Sequence, residues 1–418
     1  MRDHDVIIGG GGLTGLILAR TLAQTLGDGV RIAVLDPGAA SASSDPRSYA
    51  LSAGSRRLLE ATGIWANVKG EAQPVSGIDI TDSALTDAIR PILLSYDTAV
   101  GPAENGEPGA AESGEPGMWI VPAGALLQAA AAAVADVSDV TILRAAATGL
   151  SHDTAGITVA LADGGSARAG LVVACDGRGS PLREAAGIKT VSWRYAQTGI
   201  VTTVAHERPH EGRAIQHFLP GGPFAILPLT GNRSCVTWSE DEREAARILA
   251  LDDAGFLAEL ERRFGFRLGA IELAGRRAGW PLEMHLAREL IAPRFALAGD
   301  AVRGVHPIAG QGLNLGLRDV AALSECVVDA VRVGLDIGDA TALERYARWR
   351  RFDGAASATA FSALNALFSQ DNALLRAVRD AGLGVVNRLP GLKRALVREA
   401  SGLSGEVPKL LRGETLAV

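Results

Sequence analysis

The sequence predicts an α/β fold: a Rossmann-like dinucleotide-binding domain with an inserted antiparallel-sheet domain and a helical C-terminus. Three observations predict it. "DVIIGGGGLTGLILARTLAQ" reads as a short buried strand (Val6 to Ile8), a glycine turn and a helix from about Leu13. "VRIAVLD" then reads as a second buried strand, ending at Asp36, 21 residues after Gly15. Between Tyr195 and Ser239 the pattern changes to alternating strands joined by "PGGP" and "TGN" turns, the mark of an antiparallel sheet.

Gly10, Gly12 and Gly15 have GxGxxG spacing. In that pattern the first glycine makes a tight turn and the second lets a pyrophosphate approach the backbone. The third lets helix pack on strand, and the helix N-terminus, here Leu13 and Thr14, faces the phosphates with its positive dipole. An acid about 20 residues on binds the ribose, and Asp36 stands there. The fingerprint serves NAD and FAD alike.

"SSDPRSYALSAGSRRLLEATGIW" is a loop and then a helix from about Ala53 to Thr62. Arg47 in the loop reads equally as a surface arginine or a phosphate contact. "GPAENGEPGAAESGEPG", 101 to 117, carries four glutamates and nothing to bury, so it reads as a surface loop. Ala123 to Ala135 is an alanine-rich helix. The following stretch alternates in period two, with Asp163-Gly164-Gly165 as a hairpin signal, and ends in a buried strand at Leu171 to Ala174 before Cys175-Asp176-Gly177. An amphipathic helix is expected around Phe256 to Phe264. "PRFALAGDA" restores a buried strand, and "HPIAGQGLNLGLRD", 306 to 319, opens a long helix.

Composition narrows the function classes. A formal net charge of -6 with no basic stripe through the body argues against a nucleic-acid partner. Three scattered cysteines without a CxxC or Cys/His cluster support neither a disulfide framework nor a zinc site, and fit a reducing, cytoplasmic compartment. There is no GxSxG elbow and no metal-ligand cluster.

Three glycine-acid sites now stand apart in sequence: Gly10 to Gly15 with Asp36, Asp176-Gly177, and Gly299-Asp300, each after an apolar strand. This set resembles the GxGxxG, DG and GD motifs of the group A FAD-dependent aromatic monooxygenases. "HPIAGQGLNLGLRD" resembles, at every defined position, the signature of their ubiquinone-biosynthesis hydroxylase family, and the stretch from Tyr195 to Leu229 is similar to that family's substrate domain. The resemblance covers nearly the whole chain.

It implies a para-hydroxybenzoate hydroxylase-like FAD-binding domain in three parts, 1–75, 118–188 and 281–340. Substrate-domain strands and the acidic loop would occupy 76–117, the substrate domain 189–280, and C-terminal helices 341–418. Gly10, Gly12, Leu13, Thr14 and Gly15 would hold the ADP phosphates, Asp36 the ribose, and Arg47 the pyrophosphate. Asp176 would lie along the cofactor. Gly299 and Asp300 would meet the ribityl chain, where an acceptor-only carboxylate suits hydroxyl donors. Pro307, Gly310, Gln311, Gly312, Leu313 and Asn314 would lie along the isoalloxazine ring. Asp300 reads alternatively as a turn acid, and Gln311 and Asn314 as satisfying their own loop. His306 is the one candidate catalytic acid, with a positioning role as its alternative. Tyr195, His217, Phe218 and Pro228 are candidate substrate residues. The sequence departs from many relatives at Ala123-Gly124, which offers no polar side chain.

Implied too are NAD(P)H as a transient reductant, dioxygen as co-substrate and a polyprenylated phenol as substrate. A phenol is activated by its own hydroxyl, so strong acid or base residues are not required. A soluble hydroxylase of a small aromatic compound, and an FAD-binding accessory protein of a quinone-biosynthesis complex, are the competing readings. From Arg376 to Arg412 eight basic residues face three acids, interleaved with Leu and Val. That end reads either as a surface that meets the inner face of the cytoplasmic membrane, or as a terminal helix packed on the FAD domain. Other ubiquinone-biosynthesis proteins are further expected partners.

Overall fold

The computed structural model describes residues 2–38, 45–82, 85, 90–100, 114–305, 311–351, 397–398 and 400–416. Its centre is a six-stranded sheet in the order Ile291–Ala292, Phe295–Leu297, Leu171–Ala174, Val6–Gly9, Ile32–Leu35, Val140–Leu143. All pairings are parallel except that of the two-residue edge strand. Val6–Gly9, Ile32–Leu35 and Leu171–Ala174 are buried at every residue. That explains why they read as unbroken apolar runs: a parallel sheet has no water-facing side on which polar residues could alternate.

Helices Leu13–Leu26, Ala123–Ala135 and Gly312–Arg332 pack against this sheet and against each other. A three-stranded antiparallel sheet (Ala147–His152, Ile157–Leu161, Ser166–Ala169) adds Ile157, Val159, Ala167 and Ala169 to the same core. Its hairpin turns at Asp163-Gly164, where Gly164 takes φ +86° and Asp163 Oδ1 accepts from the Gly165 N–H at 2.8 Å.

The second sheet has nine strands. Its path runs Arg303–Gly304, Ala278–Ala287, Thr190–His206, Arg233–Asp241, Gly222–Leu229, Arg213–Leu219, Gly77–Asp82, Leu94–Asp97, with Ile271–Leu273 beside Thr190–His206. Gly77–Asp82 joins Arg213–Leu219 in parallel register, so part of the segment 76–117 belongs to this sheet. Ala278–Ala287 crosses the expected boundary at 280, and its His285 and Leu286 pair with Gly304 and Arg303. The sheet therefore reaches the Gly299-Asp300 turn directly.

Alternation gives this sheet two different faces. Ile200, Ile215, Phe224, Ile226, Val236 and Trp238 point to one side and pack with Phe256, Leu260 and Phe264 of helix Asp253–Phe264. Val201, Ala214, Leu229 and Cys235 point to the other and pack with Ala50, Val75, Met118 and Ile120, which belong to a small sheet (Ser48–Ser52, Gln73–Pro74, Met118–Pro122) and its flank. The substrate sheet thus turns one apolar face toward the dinucleotide domain.

Residues 400–416 fold back onto helices Ala53–Ala61 and Gly312–Arg332. Leu410 and Leu411 are buried in the main core, the Gly54 N–H donates to Ser401 O at 3.1 Å, and the Lys409 N–H donates to Glu325 Oε2 at 2.9 Å. That part of the basic end is a docked segment. Residues 352–396, which carry most of its charges, lie outside the described residues, as does most of the acidic stretch 101–117. Glu115, at the end of that stretch, pairs with Arg56 and Arg57 of helix Ala53–Ala61. Among the described residues no helix is long and apolar enough to cross a membrane.

Candidate cofactor site and substrate wall

The first glycine turn has the geometry that its spacing predicts. Gly10 takes φ +104°, and a Cβ there would lie 2.5 Å from the Cys175 carbonyl oxygen. A Cβ on Gly15 would overlap the Gly10 carbonyl oxygen. Both positions are closed to side chains by the protein itself. Gly12 differs: a Cβ there meets nothing within 4 Å. It is also the N-cap of helix Leu13–Leu26, with no side-chain cap and no acid in the first turn. The helix's free N–H groups therefore open onto unfilled space, which is an anion site.

Leu13 is half-buried against the main core. The Thr14 side chain packs where Gly299 and Gly316 come together, with Oγ1 placed 2.8 Å from a Cβ built on Gly299 and 3.3 Å from one on Gly316. Its side chain is thus used inside the protein, and what Thr14 offers a ligand is its backbone.

Asp36 sits half-buried at the end of its strand, with Oδ2 3.1 Å from Arg144 Nη1. Gly11 is glycine because a Cβ there would lie 2.7 Å from Asp36 Cγ. Neither Arg144 nor Gly11 was singled out from sequence. Arg144 follows its strand with no local motif, and only the parallel pairing of Ile32–Leu35 with Val140–Leu143 brings it to Asp36.

The second and third glycine-acid sites are clamped together by Arg183. This buried side chain donates through Nη2 to Arg178 O at 2.8 Å and through Nη1 to Ala301 O at 2.9 Å. Asp176 Oδ2 accepts from the Leu182 N–H at 3.1 Å, while its Oδ1 is shielded from solvent without a partner. Burial pushes the Asp176 carboxyl up, against hydrogen bonds that pull it down. Asp300 lies exposed in the turn Gly299–Ala301, and its carbonyl accepts from His285 Nε2 at 2.7 Å. Arg47 is exposed too. It is paired with Asp45 at 2.6 Å and lies over Trp280 at 5.6 Å and Tyr49 at 5.9 Å. The Asp45 hydrogen bond raises its pKa most, and the Asp300 charge adds to that, so Arg47 and Asp300 act on one region.

His306, Pro307 and Gly310 lie outside the described residues. Gln311 accepts from Asn314 Nδ2 at 3.2 Å and reaches Ala400 O at 3.5 Å. Gly312 begins the long helix, whose N-terminus has no side-chain cap; among the described residues a Cβ on it would meet only Val305 Cγ2, at 4.0 Å. Leu313 is half-buried on the core. Asn314 uses its side chain inside the protein. Its Oδ1 accepts from the Ser52 N–H at 2.9 Å and from Ser55 Oγ at 2.7 Å, and its Nδ2 donates to Ala50 O at 2.8 Å. The side chain is a tie between the loop and strand Ser48–Ser52.

The last residue of the fourteen-residue signature, Asp319, is fully buried. It takes Arg303 in a two-pronged contact at 3.0 to 3.2 Å, Arg350 Nε at 2.8 Å, and the Gly299 N–H at 3.1 Å. Sequence reading missed it because its partners are 16, 31 and 20 residues away.

The candidate substrate residues divide. Phe218 lies on the face turned toward the dinucleotide domain, four residues from Ala214 on the same strand. His217 and Pro228 alternate onto the opposite face: His217 stacks on Phe224 at 6.2 Å and meets Thr81 Oγ1 at 2.6 Å, and Pro228 follows Phe224 and Ile226 in register. These two assignments are therefore withdrawn. Tyr195 lies beside a bulge in Thr190–His206, its hydroxyl 3.6 Å from Met284 Sδ.

The donors suit FAD. An uncapped helix end over open space fits a diphosphate, a carboxylate at the end of the second strand fits a ribose, and exposed Asp300 fits a polyol. The comparisons agree. Residues 3–352 match the family described as FAD binding domain. The chain is 41% identical over 420 residues to a ubiquinone hydroxylase, UbiL, of Rhodospirillum rubrum, covering 99% of this chain and 93% of that protein. It is 30% identical to the 3-demethoxyubiquinol 3-hydroxylase of Escherichia coli, covering 96% and 98%. The fold is that of p-nitrophenol 4-monooxygenase PnpA from Pseudomonas putida, at TM-score 0.78 and 19% identity over 97% and 100% of the two chains. The chain belongs to the ubiquinone-biosynthesis hydroxylases, a family of FAD-dependent aromatic-ring monooxygenases.

Proposed function

We propose that this enzyme hydroxylates the ring of a polyprenylated phenol in ubiquinone biosynthesis, with NAD(P)H as reductant and dioxygen as the oxygen source. The observation that carries the substrate class is the composition of the sheet face toward the dinucleotide domain. Ile78, Ile80, Ala214, Phe218, Ala225, Leu227 and Cys235 form its middle, with Gln216 and Thr237 among them; Asp82 stands opposite Phe218, and the face's cation, Arg233, is exposed at the strand end opposite Leu229, so the middle of the face carries no positive group. A small aromatic acid needs a positive partner for its carboxylate, whereas a greasy phenol does not.

Bound FAD supplies the redox chemistry, accepting hydride from the nicotinamide and passing one oxygen atom of dioxygen to the ring. The chain's own residues bind and orient. The Gly10–Gly15 turn and the helix behind it would hold the diphosphate; Asp36, steadied by Arg144, would accept from the ribose hydroxyls, and Asp300 from the polyol. The uncapped N-terminus of the helix starting at Gly312 would favour negative charge on a ring held beside it. The apolar wall excludes water from the reacting ring.

The test is NAD(P)H oxidation by the holoenzyme. Stimulation by a prenylated phenol, with one oxygen added to its ring, is the expected result. Stimulation by small aromatic acids alone would overturn the substrate class, and no stimulation with FAD bound would favour the accessory-protein reading.

We also propose that the enzyme works at the inner face of the cytoplasmic membrane with other proteins of the pathway, since its substrate is a lipid. Of the eight basic residues between Arg376 and Arg412, Lys409 and Arg412 have acidic neighbours, Glu325 and Glu414, and Arg398 donates to Leu403 O. The other five lie outside the described residues, so the membrane reading rests on the basic and apolar pattern of the sequence. Liposome flotation tests it, with equal binding after truncation at Asn372 as the adverse result.

A further inference from the structure

The wall just described contains one polar side chain that its neighbours do not satisfy. Gln216 stands between Ala214 and Phe218 on strand Arg213–Leu219, on the face turned toward the dinucleotide domain. Its ladder partners are Ile80 on one side and Ala225 on the other. Its amide nitrogen, Nε2, is shielded from solvent and has no hydrogen-bond partner. A buried amide donor left unpaired is costly, and the large majority of such groups find a partner. The alternate positions explain why none comes from the protein. His217, on the opposite face, has taken Thr81, and the positions next to Gln216 on its own face, Ala214, Phe218, Ile80 and Ala225, carry only hydrocarbon; Asp82 stands opposite Phe218 and Thr237 beyond Ala225.

We infer that Gln216 recognises the substrate by donating its side-chain amide N–H to a ring oxygen, in a wall that otherwise grips hydrocarbon. This rests on the proposed function and sharpens it. The unpaired group is a donor, so its ligand atom is an acceptor. A phenolic oxygen is the acceptor that a prenylated phenol carries, and one fixed hydrogen bond would orient the ring while leaving the tail to apolar contacts. Gln216 touches substrate in this assignment but moves no proton.

The experiment uses the FAD-loaded enzyme without reductant, so that binding is read apart from turnover. Two probes differ only in the ring hydroxyl: 2-prenylphenol and prenylbenzene, each titrated by its perturbation of flavin absorbance. Wild type is expected to prefer the phenol by a factor on the order of ten, the weight of one buried hydrogen bond. Gln216→Met keeps the length and loses the donor; it should bind prenylbenzene as wild type does and lose the preference. Gln216→Leu also removes the donor at similar volume, and it serves if the methionine variant fails to retain flavin. An undiminished preference for the phenol in either flavin-loaded variant overturns the assignment, and so does the absence of a preference in wild type. If wild type binds neither probe but does bind a small aromatic acid, the substrate class itself falls and takes the Gln216 role with it.

Discussion

Asp319 carries one negative charge between two buried guanidinium groups, and the arithmetic of that arrangement is severe. Removing the carboxylate leaves Arg303 and Arg350 charged in a water-free core, a change that typically costs about 3–5 kcal/mol. Asp319→Asn is therefore expected to lower the unfolding free energy by roughly that amount, read by thermal or urea melts. It should also weaken FAD retention, because the Gly299 N–H loses its acceptor. Glycine substitutions separate folding from binding. Gly15→Ala drives a methyl into the Gly10 carbonyl and should impair both. Gly312→Val meets no close neighbour among the described residues and should fold but purify without flavin. A flavin-replete Gly312→Val protein would refute the placement of the ring beside that helix. At this scale the sequence was legible where chemistry is local. Gly10, Gly15 and Asp36 are readable from spacing because one turn and one strand pair decide them. Arg144, Arg183 and Asp319 are not, because each acts through a neighbour delivered by the fold.

The strands of the second sheet were readable from period-two alternation, but alternation does not say which face meets the cofactor domain. His217 and Phe218, adjacent on one strand, were both candidates for that reason, although only one of them can face it. The face that His217 occupies has a measurable consequence. Desolvation, with the nearby Arg90 charge, lowers its pKa from 6.5 to about 3. The unfolded chain takes up a proton as pH falls through 6.5 and the folded chain does not, so this contribution to stability is complete above pH 6.5. It is lost progressively as pH falls toward 3, at about 1.4 kcal/mol per pH unit for one proton. His217→Gln, which keeps a neutral hydrogen-bonding group for Thr81, should flatten the acid limb of stability against pH by up to one proton. An unchanged slope between pH 6.5 and 4 would show that the imidazole is not sequestered.

Over the whole molecule, the order of elements and the two-sheet architecture followed from motif spacing and pattern, whereas for residues 400–416 the sequence left docking on the FAD domain level with a membrane-facing surface. Val407, Leu410 and Leu411 resemble any amphipathic end until helix Ala53–Ala61 is seen to receive them. Leu411→Ala should cost about 2–5 kcal/mol as a large-to-small core change. A single cooperative melt shifted downward is the expected trace, and an unshifted melt would mean that the segment rests on the surface without supporting the core.

That docking also sets an order of events at the ribosome. The nucleotide domain draws its central sheet from strands that begin at residues 6, 32, 140, 171 and 295, and closes its core with leucines at 410 and 411. The substrate sheet's middle strands lie within 190–241 and can pair as soon as they emerge. Synthesis therefore completes the later sheet while the earlier domain still waits, the buried face of its amphipathic helix Ala53–Ala61 lacking the C-terminal segment through more than three hundred residues of translation. A chain released before residue 410 would leave with that surface bare, a target for chaperones and proteases.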